Sequence, residues 1–98
     1  MRYRQENRLA EWEYGGNDIE RLEGILHEIE EELYRALRKF PPFASPHEGW
    51  AIIKEEEEEL WDEIKRQHDV RSGNKMRREA IQVAAMAVRF VLDLYPTP

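Results

Sequence analysis

Five consecutive glutamates, Glu55–Glu59, stand in the middle of an apolar pattern that repeats at helical spacing. The apolar residues Ile53, Leu60 and Ile64 fall on one side of a helix, because positions three and four apart share a face. Glu56 belongs to the same side. A carboxylate directed at a protein core costs several kcal/mol unless a positive charge meets it. The pattern therefore predicts a helix with negative charge on its buried side, which a divalent metal ion would neutralise.

The length and composition are those of one small domain. The chain has 98 residues, a formal net charge of −6 and no cysteine. A chain of this length has room for three or four helices and a modest core. The negative charge argues against a general affinity for nucleic acid backbones or anionic membranes. Without cysteine, disulfides, thiolate zinc sites and cysteine nucleophiles are excluded.

The sequence contains no targeting or membrane segment. Residues Met1–Asn7 lack the apolar stretch of a signal peptide. The longest apolar run, Ala80–Leu94, is interrupted by Gln82, Arg89 and Asp93, and it is too short to span a bilayer. We expect a cytoplasmic protein with neither a membrane nor a nucleic acid as its partner.

The chain divides into an N-terminal arm and a helical domain. Residues 1–16 are polar and end in two glycines, which indicates an arm or a short helix. Residues 17–98 form the helical domain. Asn17 or Asp18 is expected to cap a first helix, in which apolar residues keep three-four spacing as far as Phe40.

The second helix has the strongest local start signal. Ser45 is a good N-cap, Pro46 suits the first helical position, and Glu48 completes a capping box. We expect this helix to run to about Gln67, before a loop at residues 69–74.

The third helix is predicted at residues 75–94, and it is apolar on more than one side between Val83 and Leu94. In so short a chain, the second apolar side is expected to pack against another subunit. No strand pattern is present. The sequence thus predicts an all-α fold, an antiparallel helical bundle of three to four helices that oligomerises through its C-terminal helix, as a homodimer or homotetramer.

Carboxylates from two helices are expected to converge. Glu56 and Glu59 lie one turn apart, and two antiparallel helices joined by a short loop can bring them level with Glu79. Converging carboxylates repel one another and their pKa values rise unless cations neutralise them. A ligand set made only of oxygen favours Mg²⁺ or Mn²⁺. The alternative is a solvated glutamate-rich face, and spacing alone does not decide between the two.

The pattern Glu-Glu-x-x-Glu-Leu over Glu55–Leu60, with nineteen residues between its last glutamate, Glu59, and Glu79, resembles the MazG-like nucleotide pyrophosphohydrolases. These belong to the all-α NTP pyrophosphohydrolase superfamily, which includes the dimeric dUTPases. The family motif is Glu-Glu-x-x-Glu followed by Glu-x-x-Asp. The stretches Lys39–Ala51 and Glu79–Ala87 look like the small phage-type members, and the likeness covers residues 19–94.

The resemblance implies hydrolysis of a (deoxy)nucleoside triphosphate between its α and β phosphates, giving a monophosphate and pyrophosphate. It implies Glu56, Glu59 and Glu79 as ligands of Mg²⁺ (or Mn²⁺). It makes Glu55 a further ligand or the base that orients the attacking water.

Gln82 takes the fourth ligand position, where the family motif has Asp. A neutral amide can bind a metal through its carbonyl oxygen, but it adds no charge. Either the site holds fewer or weaker ions, or Asp93 or Glu63 compensates. The phage-type branch shares the glutamine, so we do not interpret Gln82 as the mark of a dead site.

Basic residues are needed as well, because carboxylate-bound metal cannot offset the charge of a triphosphate alone. The substrate-binding candidates are Lys54, Lys75, Arg78 and Arg89. Surface solubility is the alternative for Lys75 and Arg78. Arg89 lies in an apolar segment, so a plain structural role is an equal alternative for it.

Aromatic residues and the choice of substrate are less constrained. Trp50 and Trp61 are expected in the core, with a base-stacking surface as the alternative, whereas Phe40 and Phe43 suit packing and the wall of a base pocket equally. The sequence does not identify the preferred base. The alternatives to a general pyrophosphohydrolase are a dUTPase-like or purine-selective enzyme and a catalytically silent helical assembly module, for which Gln82 is the best argument.

Overall fold

The computed structural model describes residues 14–66 and 72–95. It contains three α-helices, α1 (Gly16–Lys39), α2 (Pro46–Lys65) and α3 (Gly73–Leu94). Within the described ranges there is no strand, which confirms the all-α prediction. Most of the predicted N-terminal arm lies outside the described residues, and Gly16 already belongs to α1.

The start of α1 differs from the prediction. Gly15, rather than Asn17 or Asp18, is the N-cap. Asp18 lies in the first turn, where its Oδ2 accepts the backbone N–H of Gly15 at 2.9 Å. Its negative charge also interacts favourably with the positive, N-terminal end of the helix dipole. The helix ends as expected, with the N–H of Phe40 donating to the carbonyl of Ala36 just before prolines that have no N–H to continue it.

The start of α2 is the one predicted. Ser45 is the N-cap, its Oγ accepts the N–H of Glu48 at 3.1 Å, and Pro46 is the first helical residue. The predicted capping box is shifted by one residue, because Glu48 Oε1 accepts the N–H of Ala44 at 2.8 Å. The helix ends at Lys65, and the predicted end at Gln67 lies outside the described residues.

The third helix begins earlier than predicted. Ser72 caps it by accepting the N–H of Lys75 at 3.2 Å, so Gly73 and Asn74 are helical rather than part of the loop. A serine N-cap satisfies a first-turn N–H that would otherwise lack a partner. This stabilises the two additional residues as the start of the helix.

Helices α2 and α3 run antiparallel. At one end the N–H of Ser72 donates to Glu63 Oε1 at 3.2 Å. At the other end the N–H of Phe43, just before α2, donates to Asp93 Oδ2 at 2.9 Å. Positions early in α2 are therefore level with positions late in α3.

Helix α1 runs in the same direction as α3. Arg77 pairs with the carboxylate of Glu28, Nη2 to Oε2 at 2.6 Å, and Arg89 Nη1 donates to the carbonyl of Ala36 at 3.2 Å. Both α1 and α2 pack on α3, but no Cα atom of α1 lies within 8 Å of one in α2. The three helices thus form an up-down-up bundle in which α1 and α2 are separated from each other and both pack on α3.

The core lies where both outer helices meet α3. Its buried apolar residues are Leu33, Ala36, Phe43, Ala85 and Met86. Gly49 allows α2 to approach α3 closely, because a Cβ added there would lie 2.6 Å from Phe90 Cδ2. Any larger residue at this position would require the ring of Phe90 or the helix itself to shift.

Several large apolar side chains remain exposed. Trp50 and Trp61 are 60% and 52% exposed, so the prediction that they belong to the core of this chain is wrong. The apolar arc of α2 is wider than the surface that α3 covers. On α3, Val88, Val91 and Leu92 are 46%, 56% and 47% exposed. None of the three described helices combines the length and apolar character needed to cross a membrane.

Candidate metal centre

Three glutamates from two helices meet at one point. Glu56 and Glu59 come from α2 and Glu79 from α3, and one carboxylate oxygen of each lies within 4.8 Å of the others. The antiparallel register of α2 and α3 produces this convergence, as the sequence predicted. Glu79 is buried, Glu56 is half-buried and Glu59 is exposed, so the cluster opens towards solvent on one side.

The cluster is electrostatically unfavourable without a cation. Burial raises the pKa of Glu56 from 4.5 to about 7, and repulsion from Glu59, Glu79 and Glu55 adds to the effect. Burial and Glu59 also raise the pKa of Glu79, while Lys75 and Arg78 oppose that shift. A positive ion bound among these oxygens would offset both the burial of the negative charges and the repulsion between them.

Gln82 lies between two of the carboxylates. With its amide nitrogen turned towards them, it donates to Glu56 Oε2 at 3.1 Å and to Glu79 Oε2 at 3.2 Å. A half-turn of the amide exchanges nitrogen and oxygen at this place. The same side chain can therefore bridge the glutamates as a donor or present a neutral oxygen to a cation.

Neither proposed substitute for the missing aspartate joins the three glutamates as a fourth ligand. Asp93 lies near the other end of α3, where its Oδ2 accepts from the N–H of Phe43 and from Arg89 Nε, both at 2.9 Å. Glu63 is buried and accepts the N–H of Ser72, although it lines a small cavity with Glu59 and Glu79. Both carboxylates hold backbone in place.

Two of the basic substrate-binding candidates lie near Glu79, and a third pairs with a glutamate of its own helix. Lys75 borders the same small cavity as Glu59 and Glu79, and Arg78 is close enough to oppose the raised pKa of Glu79. Lys54 is exposed and pairs with Glu57, Nζ to Oε2 at 3.4 Å.

The contacts of Arg89 are those of the structural alternative, and Arg89 also lines the cavity between α1 and α2. It is 2% exposed, and all three guanidinium nitrogens already donate within the chain. Nε donates to Asp93, Nη1 to the carbonyl of Ala36, and Nη2 to the carbonyls of Phe40 and Pro41. These contacts join α3 to the end of α1, where carbonyls lack helical partners.

A cavity of about 680 Å³ adjoins the cluster, between the separated helices α1 and α2. Glu55, Glu56 and Gln82 line its acidic part. Arg35 and Lys39 contribute positive charge from α1. Its apolar lining consists of Ala36, Phe40, Pro41, Phe43, Ile52 and Met86.

Sequence reasoning missed Arg35 and Lys39. The available signal was a basic pair four residues apart on α1, which places both on one face. Such pairs are common on exposed helix surfaces, so the signal is weak without the cavity.

The chain matches no protein-family model. It is significantly similar to no curated protein, and no solved structure matches it either. The assignment of a function thus depends on the residues of this chain and on their geometry.

Proposed function

We propose that the chain is a metal-dependent hydrolase of (deoxy)nucleoside triphosphates that cleaves between the α and β phosphates. The observation that carries the metal site is the convergence of Glu56, Glu59 and Glu79 beside a cavity of about 680 Å³, and cleavage between the α and β phosphates is what the resemblance to the MazG-like pyrophosphohydrolases implies. Cavities of roughly 300–1,000 Å³ are the usual size for small-molecule sites. A carboxylate cluster next to such a cavity suits a ligand whose phosphates are bound through a metal ion.

The three carboxylates fit Mg²⁺ or Mn²⁺. Both ions prefer oxygen ligands, and Mg²⁺ is commonly held by a few carboxylates with water and substrate phosphates completing its shell. Glu56, Glu59 and Glu79 would hold the ion, and the amide oxygen of Gln82 would face it as a neutral fourth group. When bound, such an ion neutralises phosphate charge and activates water for attack.

We assign to Glu55 the role of orienting the attacking water. It is exposed and lines the cavity next to Glu56. A carboxylate there can accept a hydrogen bond from water, orient it towards the α phosphorus and take up its proton. Lys75 and Arg78 keep positive charge near Glu79, and this favours the ionised carboxylate that a metal needs.

Release of pyrophosphate from a panel of nucleoside triphosphates, with and without Mg²⁺, tests the proposal. Glu56→Gln and Glu59→Gln should each lower the rate by more than about 10- to 100-fold, which is the usual cost of losing only an outer-sphere partner of a metal. Glu58→Gln is the matched control, since Glu58 is exposed on the same helix and outside the cluster.

Two results would contradict the proposal. Full activity in both ligand variants would overturn the site, and absence of pyrophosphate release from every nucleotide would overturn the activity. The second result is the one expected of a catalytically silent assembly module.

We also propose that the chain assembles as a homodimer or homotetramer through α3. The supporting observation is the exposure of Val88, Val91 and Leu92 on that helix. Exposed apolar side chains grouped on one helix mark a surface that packs against another protein surface. A second copy of the chain is the simplest occupant, because a two-fold contact pairs the same surface with itself.

A further inference from the structure

The cavity between α1 and α2 extends along α3 from the level of Gln82 to that of Arg89. Gln82 lies at the carboxylate end. Arg89, two turns further along α3, donates to the carbonyls of Phe40 and Pro41. At 1.5 Å of rise per residue, two turns separate these levels by about 10 Å. The level of Phe40 is therefore about 10 Å along α3 from that of the carboxylate cluster, and the charged side chains of Glu48 and Arg89 line the cavity there as well.

Phe40 combines an exposed ring with a fixed backbone. Its side chain is 61% exposed and lines the cavity. Its N–H donates to Ala36 at 3.0 Å, and its carbonyl accepts from Arg89 at 2.7 Å. A large aromatic ring held in this way offers a flat surface on which a nucleobase can stack, without a preference for one base.

Arg35 supplies positive charge on the α1 wall of the cavity. It pairs with Glu32, Nη2 to Oε1 at 2.6 Å, but its side chain is 59% exposed. Exposed ion pairs contribute little, so a phosphate can compete for this guanidinium. Arginine also matches the geometry of phosphate oxygens with two parallel donors.

We propose that this cavity binds the nucleoside part of the substrate, with the base stacked on Phe40 and the phosphates directed to the Glu56 end, where Arg35 contacts them. The inference rests on the proposed function for the position of the phosphates. The base site itself rests on the exposure and placement of Phe40.

Calorimetric measurement of ligand binding in the presence of Mg²⁺ tests the inference. The first ligand is a deoxynucleoside triphosphate that carries a methylene group between its α and β phosphorus atoms. The second ligand, measured separately, is inorganic triphosphate. Phe40→Ala should weaken binding of the nucleotide about tenfold, the order expected for loss of one base–aromatic stack. It should leave inorganic triphosphate unaffected. Tyr34→Ala is the matched control, because Tyr34 is a half-exposed aromatic residue of α1 outside the cavity.

Arg35→Gln should weaken both ligands, because both carry phosphates. Arg38→Gln is its control, since Arg38 is exposed on the same helix and does not line the cavity. Circular dichroism of each variant verifies that the helices are intact.

The inference is overturned if Phe40→Ala binds the nucleotide as tightly as the unchanged chain, or if the unchanged chain binds no nucleotide. Pyrophosphate release decides the proposed function separately. If binding depends on Phe40 but no hydrolysis occurs, the base site is supported and the proposed activity is contradicted. Hydrolysis with binding that does not depend on Phe40 supports the activity and removes the base site.

Discussion

At the scale of single residues, burial and repulsion from neighbouring carboxylates both act on Glu56. It lies on the apolar side of α2, lines the cavity, and has two other carboxylates within 4.8 Å. Its raised pKa has a consequence for stability, because the unfolded chain does not share it.

We predict that the metal-free protein loses stability as the pH rises. The pKa of Glu56 is about 7 in the folded chain, against an ordinary value of 4.5. Between these values the folded state binds more protons than the unfolded state, so the free energy of unfolding falls as pH rises from about 4.5 to about 7. Thermal unfolding followed by circular dichroism in chelating buffer measures this.

Glu56→Gln should flatten that pH profile, while Glu58→Gln should leave its slope in place. Saturating Mg²⁺ should raise the melting temperature most at the alkaline end, since the ion binds the ionised carboxylates. A parent protein whose melting temperature rises through this range would contradict the role given to Glu56.

The second residue-scale prediction concerns Gln82→Asp. The substitution replaces a donor to Glu56 and Glu79 with a fourth negative charge. The metal-free protein should therefore melt at a lower temperature, and Mg²⁺ should bind more tightly, because an ionised carboxylate attracts the ion more strongly than an amide oxygen does. Turnover need not rise, since tighter ground-state binding does not by itself lower the barrier.

Mg²⁺ titration by calorimetry with a non-hydrolysable nucleotide measures the affinity of the Gln82→Asp variant. Unchanged affinity would show that residue 82 faces away from the ion.

At the scale of helices, Arg89 joins the end of α1 to α3. Its removal leaves the Asp93 carboxylate without its charged partner and the carbonyls of Phe40 and Pro41 without their donor, while the carbonyl of Ala36 keeps the N–H of Phe40. We predict that Arg89→Met lowers the free energy of unfolding by about 3–5 kcal/mol, the usual cost of breaking a buried pair from one side. Urea unfolding measures it, and Arg38→Met, at an exposed position, should stay within about 0.5 kcal/mol. Equal stability of Arg89→Met and the parent would refute the structural assignment.

The elements that the sequence predicted correctly depend on local signals. Ser45 and Pro46 start α2 because a cap and a first-turn proline act within a few residues of each other. The meeting of Glu56 with Glu79 follows from the antiparallel packing of two helices joined by a short connection. Both inferences need only sequence spacing and the geometry of one helix pair.

The features that the sequence did not predict depend on how distant helices are placed. Trp50 and Trp61 are exposed because α3 covers only part of the apolar arc of α2. Arg35 and Lys39 line a cavity because α1 and α2 are separated from each other, and no spacing rule gives that separation. Arg89 was ambiguous because its partners are main-chain carbonyls, which the sequence does not distinguish from one another.

At the scale of the whole molecule, the prediction concerns assembly. If α3 packs against a second copy, the protein should have the mass of a dimer or tetramer in light scattering at micromolar concentration. Val91→Glu should shift that mass towards the monomer, because it places a charge in an apolar contact. Leu26→Glu is the comparison, since Leu26 is equally exposed but lies on α1. A monomeric parent, or dissociation by Leu26→Glu alone, would contradict an interface on α3.

The separation of α1 from α2 also bears on how the molecule comes apart. Three packed helices ordinarily share three interfaces, and among the described helices α1 packs on α3 and not on α2. A nucleotide between α1 and α2 would supply the third interface, so the substrate itself would complete the bundle. Amide hydrogens along α1 should then exchange faster than those of α2 and α3 in the free protein, and a bound nucleotide should slow them to the common rate.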